Sequence, residues 1–140
     1  MFKSVNLLRL NHGQEIITEL GKYCKRKGIT SAVILGIIGS LEYIKFGLPP
    51  KDGSFGYGYE EYKGNVSILS GQGTLSVYNR KKFFHVHVIA SDPLKPGYLI
   101  GGHVEAAITW ATVEIAIGEL PYQLGRIRDK ETGLTAVKTT

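Results

Sequence analysis

One segment near the start of the chain has helical periodicity, whereas most of the remaining sequence has strand-like patterns. An apolar stripe recurs at helical spacing through Ile16, Ile17, Leu20, Tyr23 and Cys24. Asn11 is the predicted N-cap, with Gln14 in the capping-box position. Three basic residues, 25–27, suit the last turn, and Gly28 is a typical helix stop. The sequence therefore predicts a single principal helix among strands.

The strand predictions rest on apolar, β-branched runs and on glycines between them. SAVILGIIGS (31–40) is predicted as a buried strand, with LEYIKFG (41–47) as its hairpin partner. NVSILSGQGTLSVY (65–78) is predicted as two short strands pivoting on Gly71 and Gly73, and KFFHVHVIAS (82–91) as another strand. DPLKPG (92–97) is a predicted turn. The stretch 103–120 ends as a strand, and whether it begins with a helical turn stays open.

These elements predict one α+β domain over residues 1–140, mostly antiparallel sheet with the helix packed on one face. The sequence contains 18 glycines, close to twice the average share of about 7%, which we interpret as many tight turns between short strands. Pro49 and Pro50 are expected to break the chain, followed by a loop and an edge strand.

Composition indicates the cellular compartment of the protein and the kinds of partner it could bind. The longest apolar run, AVILGII, is too short to span a bilayer, and no charged-then-apolar leader opens the chain, so we expect a cytoplasmic protein with no membrane partner. Cys24 is the sole cysteine, which excludes a disulfide framework. The net charge of +5 permits nucleic-acid contact, but the basic clusters, Arg126 to Lys130 among them, are typical of solvated turns.

Three histidines in the second half of the chain form the main candidate site. His85 and His87 alternate with Val86 and Val88, so a strand would place both rings on one face and an apolar core surface on the other. Roots about 6.5–7 Å apart allow two imidazoles to converge on one cation. His103 follows a turn and a Gly-Gly pair, and the returning chain could add a third ring.

Three imidazoles with an open fourth position suit zinc, and other divalent metals less well. Glu105 and Glu114 are the nearest carboxylates in sequence for an outer-shell or fourth-ligand role. From these residues alone, the histidines could equally be ordinary strand residues. His12, at the helix start, is interpreted as structural.

No other pattern indicates chemistry. Phe55, Tyr57 and Tyr59 alternate with glycines, which favours a packing or subunit face over stacking on bases. We find no Ser–His–Asp spacing, paired acids or reactive cysteine, and Cys24 on the apolar stripe is expected to be buried. We predict no catalytic residues and expect a binding protein rather than an enzyme.

The order of these motifs resembles the plant and prokaryote conserved (PPC) domain. That family carries an H-x-H strand, a G-G-H segment and a later strand bearing Glu, as in FHVHVIASD, GGHV and VEIAI here. Further likeness lies in LRLNHGQEIITEL, ITSAVILGIIGSLEYIKFG, NVSILSGQGTLS and GRIRDKETGL, so it covers nearly the whole chain.

The resemblance implies a homotrimer of antiparallel sheets, each packed with a helix, and a DNA-associated or regulatory role. It also implies metal binding in some members through the histidines that correspond to His85, His87 and His103. Two departures stand out: the chain has no Arg-Gly-Arg-Pro AT-hook, and GNVSIL (64–69) replaces the plant Gly-Arg-Phe-Glu-Ile-Leu, which argues against recruiting a transcription factor through that segment.

Three hypotheses about function follow. The first is a trimeric, DNA-associated or regulatory binding module with a three-histidine metal site. The second is a metal-dependent hydrolase that uses Glu105 or Glu114 as a general base. The third is a sensor of a small molecule or a metal, with its pocket near the histidines.

Overall fold

The structure of the chain, a computed structural model, describes residues 1–48 and 58–138. The predicted α+β class is confirmed: α1 is the one helix in this part of the chain, and strands make up most of the rest. The elements, in chain order, are β1 (Ser4–Asn11), α1 (Ile16–Lys27), β2 (Ala32–Leu48), β3 (Gly58–Tyr78), β4 (Lys81–Ser91), β5 (Leu99–Glu119), β6 (Arg126–Arg128) and β7 (Thr135–Val137).

Five long strands form one antiparallel sheet in the order β1-β5-β2-β3-β4. The sheet also closes on itself, because the first residues of β5, Leu99 to His103, pair with His87 to Ser91 of β4. The second half of β5 pairs instead with β1. Strands β2, β3, β4 and β5 therefore form a ring, which leaves fewer unpaired sheet edges.

Strands β2 and β3 correct two predictions. The segment 31–47, predicted as a hairpin, belongs from Ala32 onward to one strand that pairs with β3 on one side and β5 on the other, with an irregular register near Leu41 and Tyr43. Residues 65–78, predicted as two short strands, also belong to one strand. The bends needed to close the ring are accommodated by irregularities of register within continuous strands.

The glycines explain this difference. A Cβ on Gly71 would lie 2.7 Å from Val88 Cγ1 and 2.9 Å from Ile37 Cβ, and a Cβ on Gly73 would strike the backbone oxygen of His85. These residues are thus needed for close approach of neighbouring strands rather than for turns. The interpretation of the high glycine content as many tight turns is wrong at these positions.

Helix α1 packs its apolar stripe against the sheet. Ile16, Leu20, Tyr23 and Cys24 are buried in the core together with Phe46. The predicted cap is wrong in detail: Glu15, not Asn11, is the N-cap, and its carboxylate accepts hydrogen bonds from the N–H groups of the first turn. Asn11 instead ends β1, although its backbone N–H does bond to the Gln14 side chain at 2.7 Å.

The end of α1 is as predicted. Gly28 adopts a left-handed conformation with φ of 71°, and its N–H bonds to the carbonyl of Lys25. Cys24 is buried, as expected, and this burial raises the pKa of its thiol. The predicted turn at 92–97 is also present, with the Asp92 carboxylate accepting from the backbone N–H of Leu94.

The segment after Gly102 is strand from its start, which decides the alternative left open by the sequence. Beyond β5, residues 124–126 lie parallel to β3 at Val77, whose N–H donates to the Leu124 carbonyl. Strands β6 and β7 then form a small two-stranded sheet. We call residues 124–137 the C-terminal strap.

Pro49, Pro50, Phe55 and Tyr57 lie outside the described residues. No helix among the described residues is long and apolar enough to cross a membrane.

Candidate metal centre

Strand β4 separates its histidines from the core as the alternation predicts. Val86, Val88 and Ala90 are almost fully buried, whereas His85 and His87 project from the opposite, exposed face. The cause is the two-residue period of a strand whose other face covers the hydrophobic core.

The third histidine arrives through the pairing that closes the ring. His103 lies directly opposite His87 in the β4–β5 ladder, and on its other side it faces Gly47 of β2. Opposed residues in an antiparallel pair point to the same face of the sheet. The turn between β4 and β5 therefore brings three rings from two strands to one place.

The three rings converge closely. The Nε2 atoms of His85 and His87 are 3.0 Å apart, and the ring centroids of the three residues are separated by 4.9, 5.3 and 5.4 Å. One nitrogen from each of His85, His87 and His103 lies within 4.8 Å of the other two. Two nitrogens bound to one zinc at 2.0–2.1 Å would be roughly 3.3 Å apart in a tetrahedral site, so this spacing fits a shared ion.

The surroundings of the cluster lower the pKa of two of its imidazoles, those of His85 and His103. Desolvation, then the neighbouring His87 and Arg126, lowers the pKa of His85 from the ordinary 6.5 to about 4, with His103 contributing least. Desolvation also lowers the pKa of His103, opposed by Glu105 and reinforced by His87 and Arg126. Because metals bind the neutral ring, both residues offer ligand nitrogens at neutral pH.

Of the two candidate carboxylates, the structure brings one to the histidines. Glu105 Oε1 lies 3.5 Å from His103 Nε2. Gly47 leaves room for it, since a Cβ there would lie 2.8 Å from the same oxygen. Glu114 lies farther along β5, where it is opposite Arg9 and Ile38. Glu105 is therefore close enough to the histidines for an outer-shell role, and Glu114 is not.

Arg126 is a neighbour of the site that the sequence did not reveal. Its pattern placed it in a basic cluster typical of solvated turns, but the C-terminal strap carries it onto the histidine face. Its Cζ lies 4.4 Å from the Phe83 ring centroid, and Nε donates to Ser76 Oγ at 2.7 Å. No sequence signal distinguished it from Arg128, which is exposed.

The remaining candidates lie elsewhere. The His12 ring contacts the Trp110 carbonyl, which agrees with a structural role. Tyr59 is exposed in β3, with Lys45 Nζ 4.4 Å from its ring centroid. A cleft of about 670 Å³ near Trp110 is not lined by any of the three histidines. A smaller groove of about 280 Å³ runs beside His87. We place the candidate site at the histidines because they, and not the larger cleft, supply convergent donors.

The fold and the site together define a small α+β domain with three convergent imidazoles on its outer face. A model of the family described as Plants and Prokaryotes Conserved (PCC) domain matches residues 2–121. The chain belongs to this family, as its motifs suggested. No curated protein sequence matches the chain.

Solved structures share the fold over nearly their whole length. A metal-containing protein from Archaeoglobus fulgidus has a TM-score of 0.85 and 27% identity, covering 99% of this chain and 96% of its own. A PPC protein from Pyrococcus horikoshii has a TM-score of 0.85 and 24% identity, and the match covers 100% of this chain and 94% of the other. A candidate DNA-binding protein from Bacteroides thetaiotaomicron has a TM-score of 0.87 and 20% identity, and the match covers 99% of this chain and 94% of the other.

Proposed function

We propose that this protein is a homotrimeric, DNA-associated regulatory binding module that holds a divalent metal, zinc in the first place, through His85, His87 and His103. The observation that carries the proposal is the approach of one nitrogen from each histidine to within 4.8 Å of the other two.

The donor set fits zinc. Three neutral nitrogens suit a borderline-soft ion, and three protein ligands leave one coordination position for another group. When bound, the ion would supply a Lewis-acid position at the surface of the sheet. Glu105 would stabilise the His103 ring from beside it. The similarity to a metal-containing archaeal protein adds support.

The trimer is supported by apolar side chains on the outer face. Leu7 is 76% exposed, and Val5, Ile38, Leu69 and Ile89 are each at least half exposed. Large apolar residues repeated on neighbouring strands favour a buried contact with another protein surface. The number of subunits comes from the family resemblance.

The DNA-associated role has two supports. The net charge is +5, and structural neighbours include proteins described as candidate DNA-binding proteins. A role on DNA and a buried, unpaired thiol at Cys24 support a cytoplasmic location as part of this proposal.

Metal analysis tests the central claim. Protein purified without added metal should contain close to one divalent ion per chain by inductively coupled plasma mass spectrometry. The triple variant with His85, His87 and His103 changed to Ala should lose it, while His12→Ala, which removes the fourth histidine, should retain it. Negligible metal in the wild-type protein after incubation with zinc would sink the proposal.

Two further measurements test the assembly and the DNA role. Size-exclusion chromatography with light scattering should give a trimer, and a clean monomer would contradict that part. Binding to duplex DNA should weaken with log salt at a slope of about −0.9 per phosphate contacted. If the protein causes no mobility shift of duplex DNA at low salt, the DNA-associated role is wrong.

A second candidate, a small-molecule sensor, is favoured by the groove beside His87. The groove is lined by Ser70, Gln72 and three glycines, together with His87, Val88 and Ile89. A ligand there would contact the metal site directly. Screening small molecules for metal-dependent thermal stabilisation separates this function from a purely DNA-associated one.

A further inference from the structure

The C-terminal strap fixes a cationic group beside the three histidines. Arg126 lies beyond the residues matched by the family model, which end at 121. Its side chain donates to Ser76 Oγ at 2.7 Å, to the Thr135 carbonyl at 2.9 Å and to Thr74 Oγ1 at 3.3 Å. The guanidinium is also stacked on Phe83. These four contacts define its position.

The sheet register shows which face Arg126 covers. Thr74 is directly opposite His85, and Ser76 is directly opposite Phe83. Residues opposed in this way share a face, and Phe83 and His85 are on the same face of β4. The guanidinium therefore lies over the sheet surface that carries the histidines. Its charge acts on them too, as one of the causes that lower the pKa of His85 and of His103.

This cation has no anionic partner within the described part of the chain. No carboxylate there forms an ion pair with Arg126, and desolvation lowers the pKa of its half-buried side chain. Three of the five guanidinium N–H groups donate to the strap and to β3, so two remain for another acceptor. A fixed, half-buried cation with unused donors is suited to an exogenous anion.

The charge balance of the histidine site points the same way. Neutral imidazoles bring no negative charge, and Glu105 is the carboxylate placed against them. A divalent ion together with Arg126 would leave a net positive charge even with Glu105 ionised, and the two cations would repel each other. An oxyanion bound between Arg126 and the histidines would offset that excess of positive charge.

We propose that Arg126 is an anion-binding residue of the histidine site, and that the site takes its metal together with a small oxyanion, a carboxylate or a phosphate. This inference rests on the proposed metal function and names the ligand class of the same site. It also gives the C-terminal strap a role, which is to hold the guanidinium in reach of the metal ligand.

Cobalt(II) substitution tests the inference, because the visible spectrum of bound cobalt responds to a new ligand. Protein freed of metal is loaded with cobalt in an anion-poor buffer. It is then titrated with acetate as the carboxylate source, with methylphosphonate as the phosphate source and with acetamide as the neutral control. We expect acetate, methylphosphonate or both to change the spectrum at saturable concentrations, and acetamide to leave it unchanged. The anion that binds with the higher affinity shows whether the site prefers a carboxylate or a phosphate.

Arg126→Gln is the decisive variant. It should weaken anion binding by roughly tenfold to a hundredfold, since it removes hydrogen bonds to a charged group. Without anion, its cobalt affinity, measured by competition with a chelator, should rise by a few-fold because a repelling charge is gone. Arg128→Gln makes the same charge change at an exposed position two residues away and should affect neither quantity.

Folding is checked by circular dichroism. If Arg126→Gln does not fold, Arg126→Lys replaces it, and this variant should keep the charge but bind the anion more weakly than wild type. Cobalt bound normally with anion affinity equal in wild type and variant would overturn the inference and leave the metal function standing. A wild-type chain that binds no cobalt would overturn both.

Discussion

His87 and His103 are directly opposed in the short ladder that closes the sheet, so the same five residue pairs complete both the ring of strands and the histidine cluster. His85 and His87 come together locally, since two positions of one strand specify their placement. The placement of His103 depends on the register of β5 against β4. The integrity of the candidate metal centre is thereby coupled to the closure of the fold.

Gly101→Ala should disturb the fold and the site together. A Cβ at Gly101 would lie 2.8 Å from the Val88 backbone oxygen, in the ladder next to His87 and His103. We expect a loss of about 1–3 kcal/mol in the free energy of unfolding, as for other overpacked sites, together with weaker metal binding. Chemical denaturation and metal titration measure the two effects.

Gly36→Ala is the matched control for this variant. Gly36 also lies within a strand of the sheet, but nothing lies within 4 Å of its added Cβ. Its stability and metal content should stay at or slightly above wild type. If the two alanine variants have the same stability and metal content, Gly101 is not needed for the close approach of the β4 and β5 backbones.

Glu105→Gln tests the carboxylate beside the site. Desolvation lowers the pKa of His103, and the Glu105 charge opposes that lowering, so Glu105 makes the ring a stronger base than it would be without this carboxylate. Its loss should weaken metal binding by about tenfold to a hundredfold, the range found for outer-shell partners. Isothermal titration with zinc measures this effect. Glu114→Gln, at the other end of β5, should bind zinc like wild type, and a loss there equal to that of Glu105→Gln would contradict the assignment.

The metal-free protein should lose stability in mild acid. The pKa of His85 is lowered to about 4, chiefly by desolvation and then by its charged neighbours, and the pKa of His103 is also lowered. Above pH 6.5 the His85 ring is neutral in both the folded and unfolded states and contributes no pH dependence. Between pH 6.5 and about 4 the unfolded chain takes up a proton there that the folded chain does not, so the free energy of unfolding falls.

Urea denaturation of chelator-treated protein at pH 7, 5.5 and 4.5 measures this decline. His85→Gln should flatten it in part, leaving the contribution of His103. Gln72→Ala, which alters a neighbour of His87 that does not titrate, should show the full decline. A wild-type stability that is constant over this range would refute the expected protonation state.

Local patterns predicted the pieces of the site better than their arrangement. The alternation around Val86 gave the correct face for His85 and His87, and the stop at Gly28 is where α1 ends. The continuity of β3 through Gly71 and Gly73 was missed, because a glycine that permits a turn and one that permits close packing have the same sequence signal.

The position of Arg126 could not be predicted for a related reason. It depends on the C-terminal strap running along β3, a contact between segments far apart in the chain. Glu105 differs in this respect, because it is two residues from His103 in β5 and strand alternation places both side chains on one face, whereas Glu114 lies farther along the strand. The position of Arg126 is a tertiary fact, so residue spacing carried no information about it.

Glu15 offers the clearest test of how α1 is joined to the sheet. Its carboxylate accepts hydrogen bonds from the N–H groups of Ile17 at 3.2 Å and Thr18 at 2.7 Å, and also from Ala107 of β5 at 3.1 Å. One side chain thus caps the helix and binds it to the strand that carries His103. Glu15→Ala should lower the free energy of unfolding by about 1–3 kcal/mol, as expected for a lost cap and a charged hydrogen bond.

Glu19→Ala is the control, because it removes a carboxylate from the same helix that pairs with Lys22 on the surface. An exposed pair of this kind is worth roughly 0–1 kcal/mol, so its loss should have a smaller effect on the unfolding transition. Hydrogen exchange should also be faster at the Ala107 amide in Glu15→Ala than in Glu19→Ala. Equal stabilities and equal exchange at Ala107 would show that Glu15 does not connect the helix to β5.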